Sequence, residues 1–166
     1  MGLLAFMKEA GEKLFGTGKA AAAQAAAASD PSPEKMAAAN SSAGEAIEAY
    51  VKSMNLAAND LHVDVDGSTG TVFVSGEAAD QQTKEKILLC CGNVHGVAQV
   101  NDAMTVAAPT DPSQYHTVAR GDTLSAISLK YYGNANKYPA IFDANKPMLT
   151  HPDKIYPGQV LRIPPQ

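Results

Sequence analysis

The chain lacks tryptophan altogether and is poor in other aromatic residues and in positive charge. Only ten of its 166 residues are Phe or Tyr, and 13 Lys and Arg residues stand against 17 Asp and Glu residues. Nucleic-acid binding requires a clustered basic face that neutralises phosphates, and single strands also need aromatic rings on which bases stack. Neither feature is in the sequence, so we expect no nucleic-acid partner.

Long apolar runs are also missing. No apolar segment approaches the roughly 20 residues that a membrane-spanning helix needs. The first seven residues have no basic group before their apolar stretch, which stops at Lys8 and Glu9. The alanine tract at 20–28 begins late for a signal peptide. We therefore predict a cytoplasmic protein without a membrane span.

Cysteines and catalytic motifs are scarce. The only two cysteines, Cys90 and Cys91, are adjacent within an apolar helical pattern, whereas metal and redox motifs space their cysteines apart. We interpret them as small buried hydrophobes, with a redox switch as the alternative. The four histidines have no metal-ligand spacing, and the sequence contains no nucleophile elbow or zinc-protease motif. These observations predict a binding protein and not an enzyme.

Two segments precede the first globular region. Residues 1–15 place apolar side chains at helical spacing opposite charged ones, which predicts an amphipathic helix whose stripe is Leu3, Phe6, Met7, Ala10 and Leu14. Such a short helix is marginal alone in water, so we expect it to dock on the rest of the chain. Residues 16–42 are rich in alanine, are interrupted by Pro31 and Pro33, and have few large apolar groups. They predict a flexible linker, because little burial offsets the entropy of ordering.

Residues 43–107 follow the pattern helix, strand, strand, helix, strand. Apolar and polar residues alternate over 61–66 and again over 71–76, which predicts a half-buried hairpin. Helical spacing then extends from Asp80 to Cys91, where Gly92 and Asn93 are stop signals. A third strand is predicted over 97–106. The fold class is α+β, with two helices covering one face of three strands.

The C-terminal part predicts a second, smaller domain. Residues 108–114, with two prolines, are predicted to be a short linker, and residues 115–166 follow the pattern strand, helix, helix, strand. Thr123 is placed to cap the first of these helices, and Gly133 is placed to end it. The last strand follows the turn at Pro157 and Gly158.

The spacing within 115–166 resembles that of a LysM domain. The matching positions are Tyr115, Val118, Gly121-Asp122-Thr123-Leu124, Ile127-Ser128, Tyr131-Tyr132-Gly133, Ala144-Asn145 and Pro157-Gly158-Gln159. LysM domains have a βααβ fold, and many bind N-acetylglucosamine polymers in a groove between two loops. The resemblance implies that the groove here would be lined by Gly121, Asp122, Thr123, Leu124, Asn145, Pro147, Met148 and Leu149.

Residues 43–107 resemble a BON domain in the positions of Gly76, Gly96-Val97, Val100, Met104 and Val106. The segment from Lys8 to Leu14 and the turn Gly92-Asn93-Val94 extend the resemblance over nearly the whole chain. The family that it resembles is the bacterial potassium-binding protein family, in which a BON domain precedes a LysM domain. The alanine tract departs from that family, whose linker is usually shorter and more charged.

The turn after the second BON helix has properties that suit potassium. Neutral carbonyl oxygens can replace the water shell of a large monovalent cation, and the last turn of a helix leaves carbonyls unpaired. Glycines in 92–97 allow an irregular backbone in which several carbonyls converge. The family resemblance implies that K⁺ is held by backbone carbonyls of Met7, Ala10, Gly92, Val94 and Val97.

Three functions remain open at this point. The first is a monomeric cytoplasmic potassium sensor or buffer in which ion binding docks the N-terminal segment and compacts the two domains. The second is a peptidoglycan-binding protein that uses the LysM groove, and the missing export signal counts against it. The third is an adaptor that holds a protein partner through both domains.

Overall fold

The computed structural model of the chain describes residues 2–15 and 18–166. The elements in chain order are β1 (Gly2–Ala5), α1 (Gly18–Ser29), α2 (Pro33–Ser53), β2 (Ala58–Asp66), β3 (Thr71–Asp80), α3 (Gln81–Gly92), β4 (Gln99–Ala108), β5 (Gln114–Thr117), α4 (Leu124–Tyr132), α5 (Tyr138–Ala144) and β6 (Val160–Ile163). A single 3-10 turn of residues 135–137 precedes α5. The α+β class and the two small domains predicted from the sequence are confirmed.

The larger domain is built on a four-stranded sheet in the order β1-β4-β3-β2. The hairpin β2–β3 is antiparallel, whereas β4 lies parallel to β3 because α3 crosses between them. Val72 and Val74 on β3 point to the covered face and are fully buried with Ile47 of α2 and Ile87 of α3. Phe73 points to the opposite face and is exposed. This alternation is the one that the sequence predicted for the hairpin.

The prediction of an amphipathic helix over residues 1–15 is wrong for the described residues 2–15, and Met1 lies outside them. Residues 2–5 form β1, which pairs antiparallel with β4 and brings Leu4 opposite Val100. The side chains alternate, since Leu4 packs against the core while Leu3 is 62% exposed. Residues 3–7 are all apolar, so they fit the period of a strand as well as that of a helix. The unpaired edge of β4 offers hydrogen bonds that a short isolated helix cannot match.

The prediction of a flexible linker over residues 16–42 is also wrong where the structure describes it, and Gly16 and Thr17 lie outside the described residues. Helix α1 packs on α2, and Ala20 of α1 is buried. Pro33 is the first residue of α2, and the Ser32 hydroxyl accepts a hydrogen bond from the Lys35 amide (3.4 Å). Alanine loses no side-chain entropy on ordering, so a helix of alanines forms once a second helix offers it a surface.

The smaller domain pairs β5 and β6 antiparallel and packs α4 and α5 against them. The Thr123 hydroxyl accepts a hydrogen bond from the Ala126 amide (3.1 Å), and Gly133 ends α4 in the left-handed conformation (φ 65°). Its own buried cluster contains Val118, Leu124, Ile127, Ile141, Leu149, Leu161 and Ile163. The βααβ order is the one that the sequence predicted.

Candidate functional site

The N-terminal segment runs along the turn that joins α3 to β4. Four backbone hydrogen bonds connect them: Phe6 N–H to Ala98 C=O (2.8 Å), Gly96 N–H to Lys8 C=O (2.7 Å), Glu12 N–H to Asn93 C=O (2.8 Å) and His95 N–H to Glu12 C=O (2.9 Å). These bonds pair backbone groups that lie beyond the end of α3 with groups of the N-terminal segment, so neither segment leaves them without partners. Residues 6–12 and 92–98 are therefore a single structural unit, which we call the docked turn.

Glycines make the close approach within the docked turn feasible. Phe6 lies directly on the backbone of Gly92, where a Cβ atom would overlap its ring. Gly11 has φ +112°, and a Cβ atom there would lie 2.6 Å from the carbonyl carbon of Asn93. Any side chain at position 11 would thus push the N-terminal segment away from the turn.

The five residues proposed to hold the ion all lie in the docked turn. The Met7 carbonyl accepts the Ala10 amide (3.0 Å), and the Val94 carbonyl accepts the Val97 amide (3.1 Å). Each of these two carbonyls retains a second lone pair. No hydrogen bond among the described residues ends on the carbonyl of Ala10, Gly92 or Val97. The structure therefore brings the two predicted halves of the ligand set together, with three carbonyl oxygens not engaged in hydrogen bonds.

The smaller domain covers the docked turn from the other side. At Gly158, a Cβ atom would lie 2.8 Å from the Ala10 Cβ and 3.1 Å from the Met7 Sδ. The Asn93 side chain joins the turn to β6, since its Nδ2 donates to the Val160 carbonyl (2.8 Å) and its Oδ1 accepts the Val160 amide (2.9 Å). Sequence reasoning identified Asn93 only as a helix stop and missed this contact between domains.

The charge of Glu12 also reaches the smaller domain. Burial, and after it the Glu12 carboxylate, raises the pKa of Tyr156 to about 12. The negative charge of Glu12 therefore acts on the loop before Pro157, beside the packing of Met7 and Ala10 against Gly158.

A buried ion pair forms the second link between the domains. Glu85 on α3 is 1% exposed, and its carboxylate accepts a hydrogen bond from Arg162 Nε on β6 (2.5 Å). It also accepts bonds from Gln81 Nε2 and from the Ser113 amide, both at 2.9 Å. Burial alone would raise the pKa of Glu85, but these donors together hold that pKa below its ordinary value. Sequence reasoning did not find this pair, because its members are 77 positions apart.

Most residues of the predicted glycan groove have internal roles. Leu124 and Leu149 are in the core, and the buried Asn145 side chain bonds to the Ile141 carbonyl and to the Arg162 backbone. Met148 packs against the core of the larger domain. Of the remaining positions, Thr123 caps α4, Asp122 bonds to His116 and Ala119, and Gly121 and Pro147 are exposed. Hence one of the two loops lies partly under the neighbouring domain.

Cys90 and Cys91 are buried in the core of the larger domain. Burial raises the pKa of the Cys90 thiol to about 12 and raises that of Cys91 as well. The thiolate is the reactive form, so neither residue has the properties of a redox sensor.

We expect both thiols to be unreactive toward a disulfide reagent at pH 8 in the folded protein. In urea, the same reagent should modify two thiols per chain within minutes, because unfolding exposes them and restores their ordinary pKa. The absorbance of the thiolate released from the reagent measures the reaction of the folded and of the unfolded protein. Rapid stoichiometric reaction of the folded protein would contradict the assignment of these residues to the core.

Comparison with protein-family models finds two matches. Residues 41–108 match the BON domain, and residues 116–164 match the LysM domain. Among curated proteins, "Potassium binding protein Kbp" of Escherichia coli O6:H1 is 43% identical over 164 residues, which cover 99% of both chains. An uncharacterized protein of Deinococcus radiodurans is 47% identical over 49 residues, which are 30% of this chain and 19% of the relative.

The chain belongs to the Kbp family. BON and LysM domains are families of non-enzymatic binding modules. Within residues 2–15 and 18–166, this Kbp-family chain has no helix that is long and apolar enough to cross a membrane. The same residues contain no group of three His, Cys, Asp or Glu side chains that could hold a metal ion.

Proposed function

We propose that the protein binds K⁺ at the docked turn, through backbone carbonyls of Met7, Ala10, Gly92, Val94 and Val97. The observation that carries this proposal is the pairing of the two segments, which leaves the carbonyls of Ala10, Gly92 and Val97 without hydrogen bonds. Carbonyl oxygens are suitable ligands for a large monovalent cation. The C-terminal end of α3 adds the negative end of its helix dipole. The relative from Escherichia coli bears the name of a potassium-binding protein.

Ion binding at this place would favour the compact arrangement of the two domains. Met7 and Ala10 contact Gly158 of the LysM domain, and Asn93 bonds to Val160. A cation that ties the N-terminal segment to the end of α3 stabilises the surface on which the LysM domain rests. Because only the assembled state offers all the ligands, K⁺ shifts the equilibrium toward it. This is the behaviour of a cytoplasmic potassium sensor or buffer.

Calorimetric titration of ion-stripped protein with potassium chloride tests the proposal, with sodium chloride as the matched control. We expect saturable heat with K⁺ and little with Na⁺. A chain that lacks residues 1–15 should give no K⁺ heat, because it lacks two of the five carbonyls. X-ray scattering should show a smaller radius of gyration in K⁺ than in Na⁺.

Absence of heat with either salt would remove the ion site. In that case, retention of the protein on purified peptidoglycan would identify the LysM groove as the functional site. Equal K⁺ affinity of the full and truncated chains would instead show that the ligand set is wrong. Circular dichroism of the truncated chain controls for its folding, since β1 is part of the deletion.

A further inference from the structure

The larger domain contains a cavity of about 720 Å³ beside the docked turn. It lies between α1, α2, the β2–β3 turn and residues 95–97. Its volume is within the roughly 300–1,000 Å³ that is usual for small-molecule sites. Much of the space exists because the facing side chains are short: Ala27 and Ala28 on α1, and Ala39 and Ala43 on α2. A ligand would fill the space between the two helices that these short side chains leave empty.

The wall of this cavity has a definite chemical character. Apolar side chains form most of it, and the larger ones include Phe15, Met36, Val65, Val72 and Val97. No Asp or Glu is among the described residues that line it, although acids outnumber bases in the chain. Lys8 and Lys13 do line it, and neither belongs to an ion pair within the described residues. An apolar chamber with only positive charge at its edge fits a ligand with an apolar body and one negative end.

The far side of the cavity is held in place by hydrogen bonds. Asn40 Oδ1 on α2 accepts the Gly67 amide (3.1 Å), which ties that helix to the β2–β3 turn. The Gly70 carbonyl accepts the Ala98 amide (2.8 Å), which ties the same turn to the docked turn. These two hydrogen bonds therefore hold the walls of the cavity apart on this side.

We propose that this cavity binds a free single-chain amphipathic carboxylate, with the alkyl chain between α1 and α2 and the carboxylate at Lys8 and Lys13. The space between the two helices has room for one alkyl chain and not for a bilayer surface, so the ligand is a monomer in solution. Burial of an alkyl chain supplies the affinity, because each CH₂ group removed from water adds to it. The two lysines supply the preference for a charged head over a neutral one.

The cavity shares a wall with the candidate ion site, and this part of the inference rests on the proposed function. Lys8 is among the residues that line the cavity, and its carbonyl accepts the Gly96 amide in the docked turn. A ligand that holds residues 8–13 against the domain stabilises the same segment that K⁺ requires. The two ligands should therefore each raise the affinity for the other, by the same factor.

Calorimetry with decanoate as its choline salt, on the full chain in the absence of K⁺, tests the cavity. We expect saturable binding of one decanoate per chain, and weaker binding of decanol. The replacement Ala39→Leu places three extra carbons in the cavity and should lower the affinity for decanoate at least tenfold. Ala28→Leu, at an exposed position of α1 that also lines the chamber, provides a second test with little risk to folding. Ala49 is exposed on α2 and lies outside the cavity, so Ala49→Leu should leave the affinity for decanoate unchanged.

The charge at the edge is tested by the double replacement Lys8→Gln and Lys13→Gln. It should remove the preference for decanoate over decanol, whereas Lys52→Gln with Lys154→Gln should keep it. Failure of decanoate to bind the full chain, or unchanged affinity in both Ala39→Leu and Ala28→Leu, would overturn the proposal. Retention of the protein on anionic vesicles without binding of monomeric decanoate would overturn it as well.

Repeating the decanoate titration in potassium chloride separates the two proposals. A higher affinity for decanoate in potassium chloride than in choline chloride supports the linkage between the two sites. An identical isotherm, together with absent K⁺ heat, overturns the ion site and leaves the carboxylate site intact.

Discussion

Replacing Gly11 by alanine should lower the affinity for K⁺ at least tenfold, which corresponds to about 1.4 kcal/mol. Gly11 has φ +112°, and the new Cβ atom would lie within 3.0 Å of Asn93 and Val94 backbone atoms. The N-terminal segment would have to move away from the turn, so Met7 and Ala10 could no longer share an ion with the end of α3. Calorimetric titration with potassium chloride measures the change.

The chain offers a matched control for this replacement. Gly121 also has a positive φ (+90°), but no atom lies within 4 Å of a Cβ atom built there. Gly121→Ala therefore introduces comparable backbone strain, on the order of 1–3 kcal/mol, without a steric clash. It should leave K⁺ affinity unchanged. If both replacements reduce the affinity equally, the docking of the N-terminal segment is not what holds the ion.

Replacing Arg162 by leucine should destabilise the protein by about 3–5 kcal/mol, because it leaves the Glu85 carboxylate buried and without its cation. Glu85 would keep its bonds to Gln81 and to the Ser113 amide, but these are neutral donors. Urea unfolding monitored by circular dichroism measures the free energy. The double variant Glu85→Leu with Arg162→Leu should regain most of the loss, since no charge then remains buried.

An exposed ion pair serves as the control. Lys35 Nζ lies 2.7 Å from Asp30 Oδ2, and both side chains are more than 40% exposed. Lys35→Leu should lower the free energy of unfolding by less than about 1 kcal/mol, because solvent screens such a pair. An Arg162→Leu variant as stable as Lys35→Leu would show that the Glu85 pair does not join the domains in solution.

The buried pair also fixes the direction of a pH dependence. The pKa of Glu85 is lower in the folded protein than in the unfolded chain, so its contribution to stability is present above the ordinary carboxyl pKa of about 4.3. That contribution is lost as the pH falls below this value and through the folded pKa. In the double variant, this part of the acid sensitivity should be absent.

Periodicity and turn chemistry predicted the order of helices and strands within residues 43–106 and within residues 115–166. The alternation over 71–76, the stop signal at Gly92 and Asn93, and Thr123 as a helix cap are local features that the structure retains. The N-terminal segment was mispredicted because residues 3–7 are all apolar, and a continuous apolar run fits an extended strand as well as a helix. The alanine tract was mispredicted because composition does not reveal whether another helix will pack against it.

The sequence by itself determined which residues are apolar, where helices stop and where glycine permits unusual backbone, and these are properties of neighbours along the chain. Only the tertiary structure decided that residues 2–5 complete a sheet and that Gly11 lies against Asn93. It alone joined Glu85 to Arg162 and Asn93 to Val160, across 77 and 67 positions. Backbone carbonyls are common to all residues, so a site built from them has no signature in side chains. Its existence depends on which stretches of backbone the packing brings together.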